Sequence, residues 1–106
     1  MTQPKTISAR EAYEMIERGE ATIIDVRQPE EYREGHVESS RLLPLSELPR
    51  RAGELDPTRT LLMLCRSGRR SAMAAQQLAG NGIDVRNIEG GILAWIAEKL
   101  PVSKGE

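Results

Sequence analysis

The sequence predicts a three-layer α/β domain, a mainly parallel sheet covered by helices on both faces. Three observations carry this. Short apolar or β-branched runs alternate regularly with segments of helical periodicity, and no hairpin signal joins neighbouring runs. The runs at 21–26 and 60–64 are also close to continuously apolar, as strands covered on both faces are.

Each element has its own justification. Residues 1–5 are polar, include Pro4 and read as a loose lead-in; Thr6-Ile7 makes a short edge strand. Ser8-Ala9-Arg10-Glu11 is a capping box, in which the serine hydroxyl and the glutamate satisfy free amides at a helix start. Ala9, Ala12, Tyr13 and Ile16 recur at i, i+3, i+4 and i+7 as one buried stripe, and Gly19 stops the helix. Residues 21–26 form a strand. Pro29 then fits the first turn of a short helix, with Glu30 and Glu31 at its positive end and Gly35 near its close. Arg41-Leu42-Leu43 is another short strand before Pro44. Ser46 is expected to cap a helix over 47–52, with Pro49 close to its start. Asp56-Pro57 marks a turn over 53–59.

After the strand 60–64, Ser71, Ala74, Ala75 and Leu78 give a helix a small-residue stripe suited to packing closely on a sheet, and Gly80-Asn81-Gly82 ends it. Residues 83–88 read as the last strand. Gly90-Gly91 opens a final helix with Ile92, Trp95, Ile96 and Leu100 inward, ended by Pro101. One domain is expected over 1–106, with a core at about 6–100 and loose ends at 1–5 and 102–106.

Composition narrows the function. The 106 residues are 39% hydrophobic and 29% charged with a net charge of −1, so no global field draws in nucleic acid or a membrane. The lone cysteine excludes an internal disulfide, and no apolar leader-like segment follows Met1. The expected setting is reducing and cytoplasmic. No apolar run is long enough to span a bilayer. One cysteine and one histidine, without carboxylates at telling spacings, make no metal site, and no cofactor is called for.

The chemistry concentrates at Cys65-Arg66-Ser67-Gly68-Arg69-Arg70-Ser71, where a strand ends, a tight loop turns and a helix begins. That end of a parallel sheet is where ligands bind in open α/β folds. Loop and first-turn amides favour an anion at the loop's centre, and Arg66 and Arg70 favour thiolate over thiol. A cysteine ending an apolar strand is otherwise often only a small buried hydrophobe. Gly68 and three arginines within five positions favour the reactive reading. Arg70, last in the loop, is placed to face the bound anion; Arg66 and Arg69 divide between rimming the pocket and an ordinary charged surface. Asp25 and Arg27 end a strand on the same sheet edge, where a carboxylate can hold an arginine or a loop amide. They and Ser71 are expected to support the site. His36 is read as a structural hydrogen-bonding residue and Trp95 as core or pocket wall.

These residues together resemble the single-domain rhodaneses, sulfurtransferases that carry sulfur as a cysteine persulfide. The resemblance runs from about Ile7 to Trp95 in the family's order. It comprises Ile7-Ser8, then Ile24-Asp25-Val26-Arg27 with Pro29-Glu30-Glu31-Tyr32, Gly35-His36-Val37, the Cys65–Ser71 loop, Glu89-Gly90-Gly91 and Ala94-Trp95. It implies a rhodanese-like fold with a five-stranded, mostly parallel sheet and Cys65 as nucleophile. The N–H groups of Arg66, Ser67, Gly68, Arg69 and Arg70 would surround the outer sulfur, and Arg70 would help bind an anionic donor such as thiosulfate. A thiol or a partner protein would accept the sulfur. Glu38-Ser39-Ser40 stands where the family commonly has a Pro-Gly-Ala-like turn, a local departure.

Two rivals stand beside this reading. A phosphatase or arsenate reductase generally places five residues between cysteine and arginine, whereas four separate Cys65 from Arg70. A persulfide carrier or binding module serving one partner would keep the loop with little thiosulfate turnover.

Overall fold

The computed structural model describes residues 4–80 and 82–105. Strands β1 (Lys5–Ile7), β2 (Ala21–Asp25), β3 (Arg41–Leu42), β4 (Thr60–Leu64) and β5 (Val85–Ile88) form one sheet in the order β1-β5-β4-β2-β3. Every pairing is parallel. The helices are α1 (Ala9–Glu17), α2 (Pro29–Glu34), α3 (Leu48–Arg51), α4 (Arg69–Ala79) and α5 (Gly91–Ala97).

Strand periodicity divides the core. Leu62 and Leu64 of β4 point to the face where α1 and α5 pack with Ile23, Ile88 and Trp95. Leu61, Met63 and Cys65 point to the other, with α3, α4, Ile24 and Val26. The register sets Asp25 beside Leu64, and the Val26 N–H donates to the Leu64 carbonyl at 2.9 Å. The ends of β2 and β4 therefore release Arg27 and Cys65 side by side.

Local chemistry explains the elements. Ser8 and Glu11 make the expected capping box. Gly19, at φ 71°, closes α1 by directing its N–H and that of Glu20 back to Ile16 and Met15. The buried stripe of α4 is Ser71, Ala74, Ala75 and Leu78, as the spacing predicts.

Elsewhere the structure corrects the expectation. Instead of one helix capped by Ser46, residues Leu45–Glu47 form a 3₁₀ turn, α3 follows, and Ala52–Glu54 form a second 3₁₀ turn. Pro49 fits because it lies in the first turn of α3, where its missing N–H has no partner to lose. The last strand begins at Val85, two residues later than expected. Helix α5 ends at Ala97, well before Pro101: Lys99 turns into the left-handed region at φ 59°, and its N–H and that of Leu100 return to Ile96 and Trp95. Leu100 is buried by that turn, whereas Ile96, expected inward, is 52% exposed.

The expected loose ends are partly docked. Lys5 already pairs in β1; Ser103 bridges His36 through both backbone bonds, and the Gly105 N–H donates to the Arg33 carbonyl. Backbone groups left unpaired by the sheet draw these segments in. Residues 1–3, Asn81 in the expected helix stop, and Glu106 lie outside the described residues. Among the described residues no helix is long and apolar enough to cross a membrane.

Trp95 anchors the α1–α5 layer. It is 1% exposed, meets Tyr13 edge-on at 5.9 Å between ring centroids, and donates its indole N–H to the Pro101 carbonyl at 2.9 Å. Replacing it by alanine is expected to destabilise the protein by about 3–5 kcal/mol, measured by urea unfolding. A loss no larger than that of an ordinary surface substitution would contradict this packing role.

Candidate active site

Cys65 follows the last residue of β4, and its side chain turns to the α4 face. It is the free cysteine of the chain and is buried. Gly68 takes φ 99°, a conformation a side chain strains, and this folds the loop back so that its own N–H donates to the Cys65 Sγ at 3.1 Å. The Ser71 hydroxyl, in the first turn of α4, reaches the same sulfur at 3.3 Å. Burial pushes the thiol up. Hydrogen bonds from the Ser71 hydroxyl and the N–H groups of Ser71, Gly68 and Ser67 outweigh it and hold Cys65 below the ordinary thiol range. The contributions that lower it are thus hydrogen bonds, where the sequence pointed to arginine charge.

Asn87, on β5, ties the loop together. Its Oδ1 accepts from the Ser71 hydroxyl at 2.5 Å, and its Nδ2 donates to the Gly68 carbonyl at 3.1 Å. The single Ser71 proton can go to the amide or to the sulfur, one at a time. Sequence reasoning missed Asn87. A polar residue inside an otherwise buried strand was the available signal.

The start of α5 closes the loop from the other face. The Ile92 N–H donates to the Cys65 carbonyl at 2.8 Å and the Leu93 N–H to the Arg66 carbonyl at 3.2 Å. A Cβ on Gly91 would lie 2.4 Å from the Cys65 oxygen and 2.5 Å from the Arg66 oxygen, so only glycine permits this approach.

Asp25 holds an arginine and an amide, both from Arg27. The Arg27 guanidinium donates to both carboxylate oxygens, at 2.8 to 3.1 Å, and its backbone N–H donates to Oδ1 at 3.0 Å. The pair is buried, and Arg27 Nη2 continues to the Gly35 carbonyl at 2.7 Å, fastening the end of α2. His36 belongs to that support. Its Nδ1 lies 2.8 Å from the Tyr32 carbonyl, which can only accept, so Nδ1 carries the proton. Its ring stacks on Tyr32 with centroids 3.9 Å apart.

Arg70 has a partner that no local spacing points to. Its guanidinium makes a bidentate pair with Glu31 of α2, at 2.7 and 2.8 Å. The Arg70 hydrogen bond leads in holding the Glu31 carboxyl down at about 2, against an ordinary 4.5. Arg66 and Arg69 are exposed and have no ion-pair partner among the described residues. A cleft of about 220 Å³ beside Arg66 is lined by Arg27, Glu31, Glu34, Gly35, Arg66, Ile92, Leu93 and Ile96. A larger cavity, about 440 Å³, lies between α1, α5 and residues 37–39 and contains no loop residue. The loop thus directs the Gly68 N–H and the Ser71 hydroxyl toward one buried cysteine sulfur.

Ser71→Ala should raise the Cys65 pKa, because it removes the foremost contribution that lowers it. The thiolate's ultraviolet absorbance against pH reads this directly in a chain with one cysteine, and an unmoved midpoint would contradict the assignment. Glu31 gives a second prediction. Its folded pKa is depressed, so its stabilisation is present above the ordinary 4.5 and is lost as pH falls toward about 2. Glu31→Gln should therefore lose less stability than the wild type over that window in pH-dependent unfolding; equal losses would contradict the pairing.

Comparison with known proteins agrees with this geometry. The family model described as "Rhodanese-like domain" matches residues 8–98. The "Putative sulfurtransferase YtwF" of Bacillus subtilis is 35% identical, covering 92% of this chain and 95% of its own length. The "Uncharacterized protein YqhL" of the same organism is 38% identical over 71% of this chain, which spans 60% of that protein. Among solved structures, the rhodanese-related protein of Thermoplasma volcanium superposes with a TM-score of 0.89 at 35% identity, covering 93% of this chain and 97% of that one. By its fold, its loop and these relatives, the chain belongs to the rhodanese-like domain family.

Proposed function

We propose that this protein is a sulfurtransferase that carries sulfane sulfur as a persulfide on Cys65. The observation that carries the reading is the convergence of the Gly68 N–H and the Ser71 hydroxyl on one buried sulfur held below its ordinary pKa. The names of three relatives support it: the YtwF protein already described, a "Sulfurtransferase" of Allochromatium vinosum, 36% identical over 76% of this chain, and a "Putative sulfur carrier protein YrkF" of Bacillus subtilis, 39% identical over 69% of it.

The donor is a small anionic sulfane compound such as thiosulfate. The Cys65 thiolate attacks its outer sulfur, forming a sulfur–sulfur bond as the bond to sulfite breaks, and the bonding pair leaves with sulfite. The enzyme then holds Cys65–S–S⁻. The loop amides and the Ser71 hydroxyl, fixed before reaction, stabilise the charge that water cannot reach. An acceptor thiolate next attacks the outer sulfur, which leaves as the acceptor's persulfide and restores the Cys65 thiolate, a two-step covalent cycle. Arg66 and Arg69 draw anions to the mouth, and Arg70 lends positive charge shared with Glu31. Ser67 and Gly68 supply loop amides. Asp25 and Arg27 act at one remove, keeping α2 against the loop. The reaction needs no metal or cofactor.

Intact mass after thiosulfate treatment and removal of excess should show a gain of one sulfur atom, reversed by cyanide or dithiothreitol and absent in Cys65→Ser. No gain on a reduced, folded protein would overturn thiosulfate as donor.

A further inference from the structure

One proton serves two acceptors beside Cys65. The Ser71 Oγ lies 2.5 Å from the Asn87 Oδ1 and 3.3 Å from the Cys65 Sγ, and its hydroxyl can point at either. Water is no substitute donor, because Ser71, Cys65 and Asn87 are 0%, 1% and 7% exposed. Among the described residues Asn87 Oδ1 accepts from Ser71 alone, and every buried side-chain nitrogen and oxygen has a partner. The two ends of the Asn87 amide are not equally needed. Its Nδ2 donates to the Gly68 carbonyl, but that oxygen also accepts the Ala72 N–H of α4 at 3.1 Å, so the loop keeps a tie without Asn87. What Asn87 alone supplies is an acceptor that competes with the sulfur.

Ionisation changes the balance. The thiol proton leaves to solvent, the Ser71 proton stays on its oxygen, and the O–H turns from Asn87 to the sulfur, where a charged acceptor makes the stronger bond. The Asn87 Oδ1 is then buried without a donor, which opposes the step. We propose that Asn87 is a positioning residue that withholds the Ser71 proton from Cys65 and so restrains formation of the thiolate. The restraint has a use, since a thiolate loses nucleophilicity as its thiol becomes more acidic, and attack is best when the pKa lies near the ambient pH. The inference deepens the sulfur-transfer reading and rests on it only for that use. The charges around the loop are Arg66 and Arg69 on it, the Arg70–Glu31 pair of α4 and α2, and the Asp25–Arg27 pair after β2. The start of α5 meets the loop through the backbone of Ile92 and Leu93. None of these charged side chains is hydrogen-bonded to Asn87 or Ser71, so replacing Asn87 leaves them in place.

The sign of one substitution tests this. Asn87→Leu, similar in size and apolar, removes the competing acceptor, and the ultraviolet midpoint of thiolate formation should fall by about half a pH unit or more. If Asn87 served only to brace the loop, removing it would slacken the Gly68 and Ser71 donors and the midpoint would rise. The effect must also run through the hydroxyl, so in a Ser71→Ala background the same substitution should not lower the midpoint. Asn87→Ala removes the same acceptor without adding bulk in a buried strand and should give the same sign; whichever variant folds carries the test. A midpoint that stays or rises in the folded single variant, or an equal fall in both backgrounds, would overturn the proposal. These midpoints are read on the free thiol before any donor is added. Absence of the mass gain with thiosulfate would therefore count against the donor and leave them unaffected.

Discussion

Burying the Cys65 thiol disfavours its charged form, and the loop's conformation follows from the hydrogen bonds that offset this. With water excluded, the donors have to come from the chain itself. A turn of ordinary backbone would aim its amides elsewhere; the left-handed Gly68 brings its N–H back onto the Cys65 Sγ. The first turn of α4 adds the Ser71 hydroxyl. Asn87, on a neighbouring strand, holds the Gly68 carbonyl and lies against the Ser71 Oγ, whose one proton goes either to it or to the sulfur. The cradle is therefore preorganised, and forming an anion in it requires little rearrangement.

The same requirement joins the two faces of the sheet. Cys65 belongs by its side chain to the α4 layer, yet its carbonyl accepts from the Ile92 N–H of α5, on the opposite face. Gly91 makes that approach sterically open. On a third side the buried Asp25–Arg27 pair reaches the Gly35 carbonyl and fixes the end of α2. This positions Glu31 for its bidentate grip on Arg70. The docked backbone at Ser103 and Gly105 stabilises the same segment from outside.

That sharing of charge bears on function. Two of the site's guanidiniums, those of Arg27 and Arg70, are bonded to carboxylates, and the contacts that lower the Cys65 pKa come mainly from neutral donors.

Much of this was legible in the residues. The capping box at Ser8, the stripes of α1 and α4 and the strand over 60–64 are local patterns, and local patterns are written by side chains three, four or two positions apart. The cysteine at a strand end, followed by Gly68 and the helix start, likewise marked the loop. What the sequence could not disclose is every feature that joins residues far apart in the chain. Glu31 meets Arg70 only because parallel strands place α2 beside α4, and Asn87 reaches Ser71 only because β5 lies next to β4. Ile96 fits a helical stripe by spacing, but α5 ends at Ala97 and packs through Ile92 and Trp95, so the stripe's edge is left facing the cleft. Periodicity determined which segments form helices and strands; the order and register of the sheet decided which side chains surround the sulfur.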